Sequence, residues 1–141
     1  MKKNILFLCT GNSCRSQMAE GWAKALKSDI FNVYSAGLET HGLNPYAVKV
    51  MAEAGIDITT QESQLLSEHD QVEFDYVITV CSSAHETCPL FPRNATVIHH
   101  GFDDPPKLTK ENASEEEKLE AFRRVRDEIK EYVASLTETI S

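Results

Sequence analysis

The sequence has no long apolar run. Its first apolar stretch, residues 5–8, ends at a cysteine and a polar loop, and no other segment approaches the roughly 20 apolar residues that a membrane-spanning helix needs. The same stretch is too short for the apolar region of a signal peptide, although Lys2 and Lys3 precede it. We therefore expect a cytoplasmic protein with no membrane partner.

An excess of basic residues is also missing. The 141 residues contain 14 Lys and Arg against 22 Asp and Glu, which gives a formal net charge of −8. This charge argues against broad binding to nucleic acid or anionic membranes, but it allows a local site for a small anion. The chain also lacks internal repeats, low-complexity segments and linkers, so we predict one domain over residues 1–141 and a monomer by default.

Cysteines are few, but they lie at informative places. Four occur, and they allow three disulfide pairings: Cys9, Cys14, Cys81 and Cys88. Because the cytosol keeps thiols reduced, permanent disulfides are not expected. The four thiols are therefore predicted to be catalytic, metal-binding or part of the core.

Apolar patterns predict strands that alternate with helices. The expected strands are Lys3–Cys9 and residues 31–36, 74–80 and 95–99; the expected helices are residues 16–27, Pro45–Glu53 and a long segment after Ser114. Asn44 before Pro45 predicts one helix start, and Ser114 with Glu117 predicts another. This order is typical of a single-domain α/β fold with a four-stranded parallel sheet and helices on both faces.

Two cysteines lie at the carboxyl ends of predicted strands. Cys9 ends the first strand, and Cys81 follows residues 74–80 and opens a segment, 81–92, that we expect to be a loop or short helix. In parallel sheets, ligand sites lie beyond the carboxyl ends of the strands. We therefore expect both thiols at one functional edge of the sheet.

Residues 9–16, CTGNSCRS, join the first strand to the first helix. Backbone N–H groups at such a turn have no partner within the helix and, with the helix dipole, form a site for a tetrahedral oxyanion. Arg15 adds a planar fork for two oxygen atoms. The candidate oxyanion-binding residues are Thr10, Gly11, Asn12, Ser13, Cys14, Arg15 and Ser16.

The same loop predicts a nucleophile. A helix N-terminus and a nearby arginine favour the thiolate form of a cysteine, so Cys9 is predicted to attack the bound anion, with Ser16 donating to its sulfur. Asp104, held extended by Pro105, is a candidate proton donor to a leaving oxygen, with a solvated Asp-Pro turn as the alternative. A nucleotide-binding loop is not predicted, because no Lys-Ser or Lys-Thr follows a second glycine.

These motifs resemble known families. Cys9-x5-Arg15-Ser16, with Asp104-Pro105 late in the chain, resembles the low-molecular-weight protein tyrosine phosphatases. The chain more closely resembles the thioredoxin-coupled arsenate reductases over nearly its whole length, in CTGNSCRSQMAEGWA (9–23), YSAG (34–37), HGLNP (41–45), GIDI (55–58), GFDDP (101–105) and FRRVRDEI (122–129).

This resemblance implies a redox relay on a phosphatase-like site. Arsenate would bind the loop, with phosphate or sulfate as competing anions, and Cys9 would attack arsenic while Asp104 protonates the leaving oxygen. Cys81 would form a transient disulfide with Cys9 and release arsenite; Cys88 would then complete a Cys81–Cys88 disulfide that thioredoxin reduces. Reduction of arsenic(V) to arsenic(III) takes two electrons, which two thiols supply on forming one disulfide. No tightly bound cofactor is expected.

The sequence departs from this family at a potassium site that some members have. Asn12, Glu20 and Ser35 match the ligands, but Gln64 and Glu62 stand where the family has aspartate and threonine. Potassium binding at the three matching residues therefore stays open. In addition, His100 stands where many members have tryptophan.

Other functions remain as alternatives. A low-molecular-weight phosphatase would hydrolyse phosphate monoesters through a Cys9 phosphocysteine, and weak aryl-phosphate hydrolysis is expected even of a reductase. Gln17 and Pro106, where phosphatases have a proline and an aromatic residue, favour the reductase. A non-enzymatic adaptor would have an unreactive Cys9, and Cys14 is either structural or an oxidation partner of Cys9. A zinc site would combine Cys81, His85, Cys88 and His99, with an unusual spacing.

Overall fold

The structure is a computed structural model that describes residues 2–9, 14–40, 42–80 and 94–136. Within these ranges, the strands are β1 (Lys3–Cys9), β2 (Phe31–Gly37), β3 (Tyr76–Thr79) and β4 (Thr96–His99). The α-helices are α1 (Arg15–Lys27), α2 (Pro45–Glu53) and α3 (Glu115–Ala134), and short 3₁₀ helices span Leu66–His69 and Pro105–Lys107. None of the helices in these ranges has both the length and the apolar character needed to cross a membrane.

The four strands form one parallel sheet in the order β2-β1-β3-β4. Ile5 of β1 pairs with Val33 on one side and with Tyr76 on the other, and Tyr76 pairs with Thr96. β1 and β3 are therefore the central strands. Their carboxyl ends, after Cys9 and Thr79, lie side by side at one edge of the sheet. That Cys81 joins Cys9 at this edge stays a prediction, because Cys81 lies outside the described ranges.

The larger core lies on the face of the sheet that the three α-helices cover. Fully buried side chains from β1, α1 and α2 meet there, among them Phe7, Met18 and Met51. Burying each such side chain contributes about 1.5–3 kcal/mol relative to exposure. α3 and the residues just after it add the predicted apolar stripe, whose members are all buried: Leu119, Phe122, Val125, Ile129 and Val133 of α3, and Leu136 beyond its end.

A smaller apolar cluster lies on the other face. Leu6, Leu8 and Val77 form its centre, and Leu66 of the first 3₁₀ helix packs against it. The ring of His69, from the same 3₁₀ helix, makes an edge contact with Tyr34. Helical segments thus cover both faces, and the predicted α/β fold with a four-stranded parallel sheet is confirmed.

Local signals in the sequence set the helix ends. The Asn44 side chain accepts hydrogen bonds from the backbone N–H groups of Tyr46, at 2.9 Å, and Ala47, at 3.4 Å, which caps α2 as predicted. Gly55 closes the segment with a φ of 86°, a left-handed conformation that glycine adopts without strain. The Ser114 hydroxyl accepts from the Glu117 N–H at 3.2 Å, so the predicted capping box begins α3.

Two strands are shorter than predicted. The sequence predicted residues 74–80 and 95–99, whereas β3 and β4 begin later and β3 ends one residue earlier. Beyond the ladder, Asp75 and Val80 still donate backbone hydrogen bonds to β1, at 2.9 Å each. Each of these residues makes one backbone hydrogen bond to β1, but neither belongs to the strand pairing between β1 and β3.

Candidate active site

Cys9 ends β1 and is buried, with 3% of its surface exposed. Its Sγ lies 3.0 Å from the Oγ of Ser16, the second residue of α1, which is completely buried. The structure therefore brings together the thiol and the hydroxyl that the sequence predicted to interact. A buried hydroxyl at this distance can donate to a thiolate and hold it at the N-terminus of α1.

Arg15 connects the beginning of α1 to the loop after β4. It is only 4% exposed, and its Nη1 donates a hydrogen bond to the Phe102 carbonyl at 3.2 Å. Its Nε lies 3.8 Å from Asp104 Oδ1. Groups 87 and 89 residues away in sequence, the Phe102 carbonyl and the Asp104 carboxylate, thus hold the guanidinium in place.

Asp104 lies at the same edge of the sheet. Its backbone is extended, with φ −80° and ψ 109°, as expected before Pro105, which begins the second 3₁₀ helix. Its side chain is 20% exposed, and Oδ2 lies 4.0 Å from Lys107 Nζ. The loop is anchored to the sheet because the Phe102 N–H donates to the Val80 carbonyl at 3.1 Å. Asp104 is therefore part of the cluster around Arg15 rather than a separate solvated turn.

Cys14 completes this cluster. It is buried, and its Sγ lies 3.7 Å from Asp104 Oδ1. Burial, with smaller contributions from the nearby Asp104 and Cys9, raises the pKa of the Cys14 thiol to about 12 against the opposing effect of Arg15. No sequence pattern predicted the contact between Cys14 and Asp104, since the two residues are 90 positions apart.

Several predicted site residues lie outside the described ranges. They are Thr10, Gly11, Asn12, Ser13, Cys81 and Cys88, with His85 of the zinc alternative and the whole predicted loop 81–92. Their roles stay predictions. Among the described residues, no group of three or more His, Cys, Asp or Glu side chains is arranged to hold a metal ion.

The predicted potassium ligands Glu20 and Ser35 do contact each other, but the cation beside Glu20 is the ammonium group of Lys24. The Ser35 hydroxyl donates to the buried carboxylate of Glu20, and Lys24 Nζ lies 2.5 Å from Glu20 Oε2. The ammonium group of Lys24 already neutralises this carboxylate. The described residues therefore do not fit a potassium ion as a further partner of Glu20.

Gln17 has a positioning contact that the sequence did not reveal. The side chain is fully buried, and its Nε2 donates to the Glu62 carbonyl at 2.9 Å. Gln61 donates back to Gln17 Oε1 at 2.8 Å. These bonds hold residues 61–62 against α1 and explain why a polar residue is accommodated at this core position.

Comparison with known proteins agrees with this geometry. The low molecular weight phosphotyrosine protein phosphatase family matches residues 4–141. The arsenate reductase of Bacillus licheniformis is 55% identical over 138 residues, which are 98% of this chain and 97% of the relative. The arsenate reductase of Bacillus subtilis (strain 168) is 51% identical over 137 residues, 97% and 96% of the two chains.

A solved structure described as an arsenate reductase in the phosphate binding state is also similar. It is 34% identical, covers 99% of each chain, and superposes with a TM-score of 0.77. Family match, sequence relatives and solved structure thus agree over nearly the full chain. The protein belongs to the arsenate reductase family that is built on the low molecular weight phosphotyrosine protein phosphatase fold.

Proposed function

We propose that this protein is an enzyme that reduces arsenate to arsenite through three cysteines, with thioredoxin as the final reductant. The observation that carries the proposal is the convergence of Cys9, Arg15 and Asp104 at one edge of the sheet. The names of the relatives, at 55% and 51% identity, support arsenate as the substrate. The reducing cytoplasm suits a relay that begins with free thiols.

In the first step, Cys9 and Asp104 act on the bound oxyanion. The Cys9 thiolate forms a bond to arsenic, and one oxygen leaves as water after it receives a proton from Asp104. The positive guanidinium of Arg15 balances the negative charge of the anion. It is held in place for this role by its contacts with Phe102 and Asp104. The Ser16 hydroxyl, 3.0 Å from Cys9 Sγ, keeps the sulfur in place.

In the second step, Cys81 attacks the sulfur of Cys9. A Cys9–Cys81 disulfide forms, the sulfur–arsenic bond breaks, and its electron pair stays on arsenic, which leaves as arsenite. Cys88 then attacks Cys81, so Cys9 leaves as a thiolate and a Cys81–Cys88 disulfide remains. The sequence places Cys81 directly after Val80, whose N–H donates to the Leu8 carbonyl at 2.9 Å, next to the end of β1.

The experiment that tests this proposal is arsenate-dependent oxidation of NADPH with thioredoxin and thioredoxin reductase. We expect steady consumption with the unmodified protein and none with Cys9→Ser. Cys81→Ser and Cys88→Ser form a matched pair: both stop steady turnover, but only Cys88→Ser still releases one arsenite per protein. Steady NADPH consumption that continues in Cys88→Ser would contradict the relay. A parallel assay with glutathione and glutaredoxin in place of thioredoxin tests the choice of reductant.

A phosphatase is the second candidate, and the family match favours keeping it. Cys9, Arg15 and Asp104 are the only groups that phosphate monoester hydrolysis through a phosphocysteine would need. Rapid hydrolysis of an aryl phosphate without arsenate-dependent NADPH oxidation would assign the protein to this function. For a reductase we expect only slow hydrolysis.

A further inference from the structure

Cys14 contacts the proposed general acid Asp104, although no step of the proposed relay uses Cys14. The residue is 4% exposed and directly precedes α1. Its Sγ is 3.7 Å from Asp104 Oδ1, within the reach of a sulfur hydrogen bond. This contact joins the beginning of α1 to a loop 90 residues later.

The two oxygens of Asp104 have different surroundings. Oδ1 faces the protein, where it meets Cys14 Sγ at 3.7 Å and Arg15 Nε at 3.8 Å. Oδ2 faces the exposed Lys107, whose Nζ is 4.0 Å away. A carboxyl group held through one oxygen presents the other in a fixed direction, which is what a general acid requires.

A thiol donates a hydrogen bond only while it keeps its proton. Burial raises the pKa of Cys14 to about 12, so the thiol stays protonated near neutral pH. Cys14 is therefore suited to be a steady donor and unsuited to be a nucleophile, since the thiolate is the reactive form.

We propose that Cys14 is a positioning residue for Asp104: its S–H donates to Oδ1 and, together with Arg15, leaves Oδ2 to carry the proton to the leaving oxygen. When that proton has left, the S–H of Cys14 and the positive charge of Arg15, whose Nε is 3.8 Å from Oδ1, stabilise the new carboxylate. This inference rests on the role of Asp104 in the proposed function. No electron or bond of Cys14 changes in the reaction.

The test compares two aryl phosphates with different leaving groups. Phenolate needs a proton as it leaves, whereas 2,4-dinitrophenolate leaves without one, so only phenyl phosphate reports on the general acid. The value of kcat/KM reports formation of the phosphocysteine for both substrates. We expect Cys14→Ala to lower kcat/KM for phenyl phosphate about tenfold, the lower end for a hydrogen bond to a charged group, because a thiol is a weak donor.

Three further measurements separate positioning from packing. The dinitrophenyl ester bypasses the acid, so its kcat/KM should fall much less in Cys14→Ala than the kcat/KM of phenyl phosphate. Cys14→Ser keeps a donor and should restore most of the phenyl phosphate activity. In an Asp104→Asn background, Cys14→Ala should cause no further loss. Thermal melting of each variant checks that the fold is intact.

The outcomes that overturn the inference are specific. Equal losses on both esters, or a loss from Cys14→Ala that persists in the Asp104→Asn background, would show that Cys14 acts through packing alone. Arsenate reduction is measured separately on the unmodified protein. If arsenate reduction is absent while aryl phosphates are hydrolysed, the three-cysteine relay is contradicted. The comparison of Cys14→Ala with and without Asp104→Asn then still decides whether Cys14 positions Asp104. If neither anion reacts, both proposals are contradicted.

Discussion

Replacing Arg15 with lysine tests how much of the site depends on the guanidinium fork. The change keeps the positive charge but removes the planar arrangement of donors. In the structure, Nη1 donates to the Phe102 carbonyl at 3.2 Å while Nε lies 3.8 Å from Asp104 Oδ1. A lysine ammonium is a single point of charge and cannot make both contacts and also bind two oxygens of an anion.

The expected magnitude follows from the contacts that are lost. Hydrogen bonds to charged groups contribute about 1.5–3 kcal/mol each, and Arg15→Lys removes about two of them, those from the guanidinium fork to the anion. The sum, about 3–6 kcal/mol, corresponds to a fall of about 10²–10⁴ in kcat/KM for arsenate. The Phe102 carbonyl also loses a buried donor, which should lower the free energy of unfolding by about 1–3 kcal/mol.

The assay is arsenate-dependent NADPH oxidation, with phosphate inhibition as an independent measure of anion binding. Ser16→Ala is a useful comparison, because it removes the hydroxyl next to Cys9 and leaves the contacts of Arg15 unchanged. We expect phosphate to bind much more weakly to Arg15→Lys than to Ser16→Ala. An Arg15→Lys protein with kcat/KM within about threefold of the original, a difference below 1 kcal/mol, would refute this account of the site.

Three further results are expected. Gly21→Ala should lower the free energy of unfolding by about 1–3 kcal/mol in urea titration, because the added methyl carbon would lie 2.7 Å from Ile58 Cγ2. Burial raises the pKa of Cys14 from 9.0 to about 12, so the unfolded chain loses the thiol proton at lower pH than the folded chain does. The folded state therefore loses stability as the pH rises from about 9 towards 12. Cys14→Ser should lack this contribution to the fall in the free energy of unfolding at alkaline pH. Added potassium should leave kcat/KM for arsenate unchanged, because the ammonium group of Lys24 already pairs with the Glu20 carboxylate. A several-fold stimulation by potassium would contradict this prediction.

The sequence predicted the fold because its local signals agree with its long-range pattern. The caps Asn44 and Ser114 are short-range features, and both begin helices as expected. The apolar runs of β1 and β3 require burial on two faces, which a parallel sheet covered by helical segments supplies. The ends of β3 and β4 were predicted less well, because a strand ends where its residues no longer pair with residues of the neighbouring strand.

The site was predictable where it depends on a contiguous motif. Only one short loop and the first residue of α1 separate Ser16 from Cys9, so their contact follows from sequence spacing. The contacts of Arg15 with Phe102 and Asp104 depend on how the loop after β4 folds back over the sheet edge. A backbone carbonyl also carries no signature in the sequence, so the role of Phe102 could not have been predicted.

The measurement that tests the central claim most directly is the disulfide pattern after a single turnover. Reduced protein is mixed with arsenate without thioredoxin, quenched with an alkylating reagent under denaturing conditions, and mapped by peptide mass spectrometry. We predict one Cys81–Cys88 disulfide for each arsenite released, with Cys9 and Cys14 recovered as alkylated thiols. Arsenite that forms with any other pairing, or with four free thiols, would contradict the three-cysteine relay.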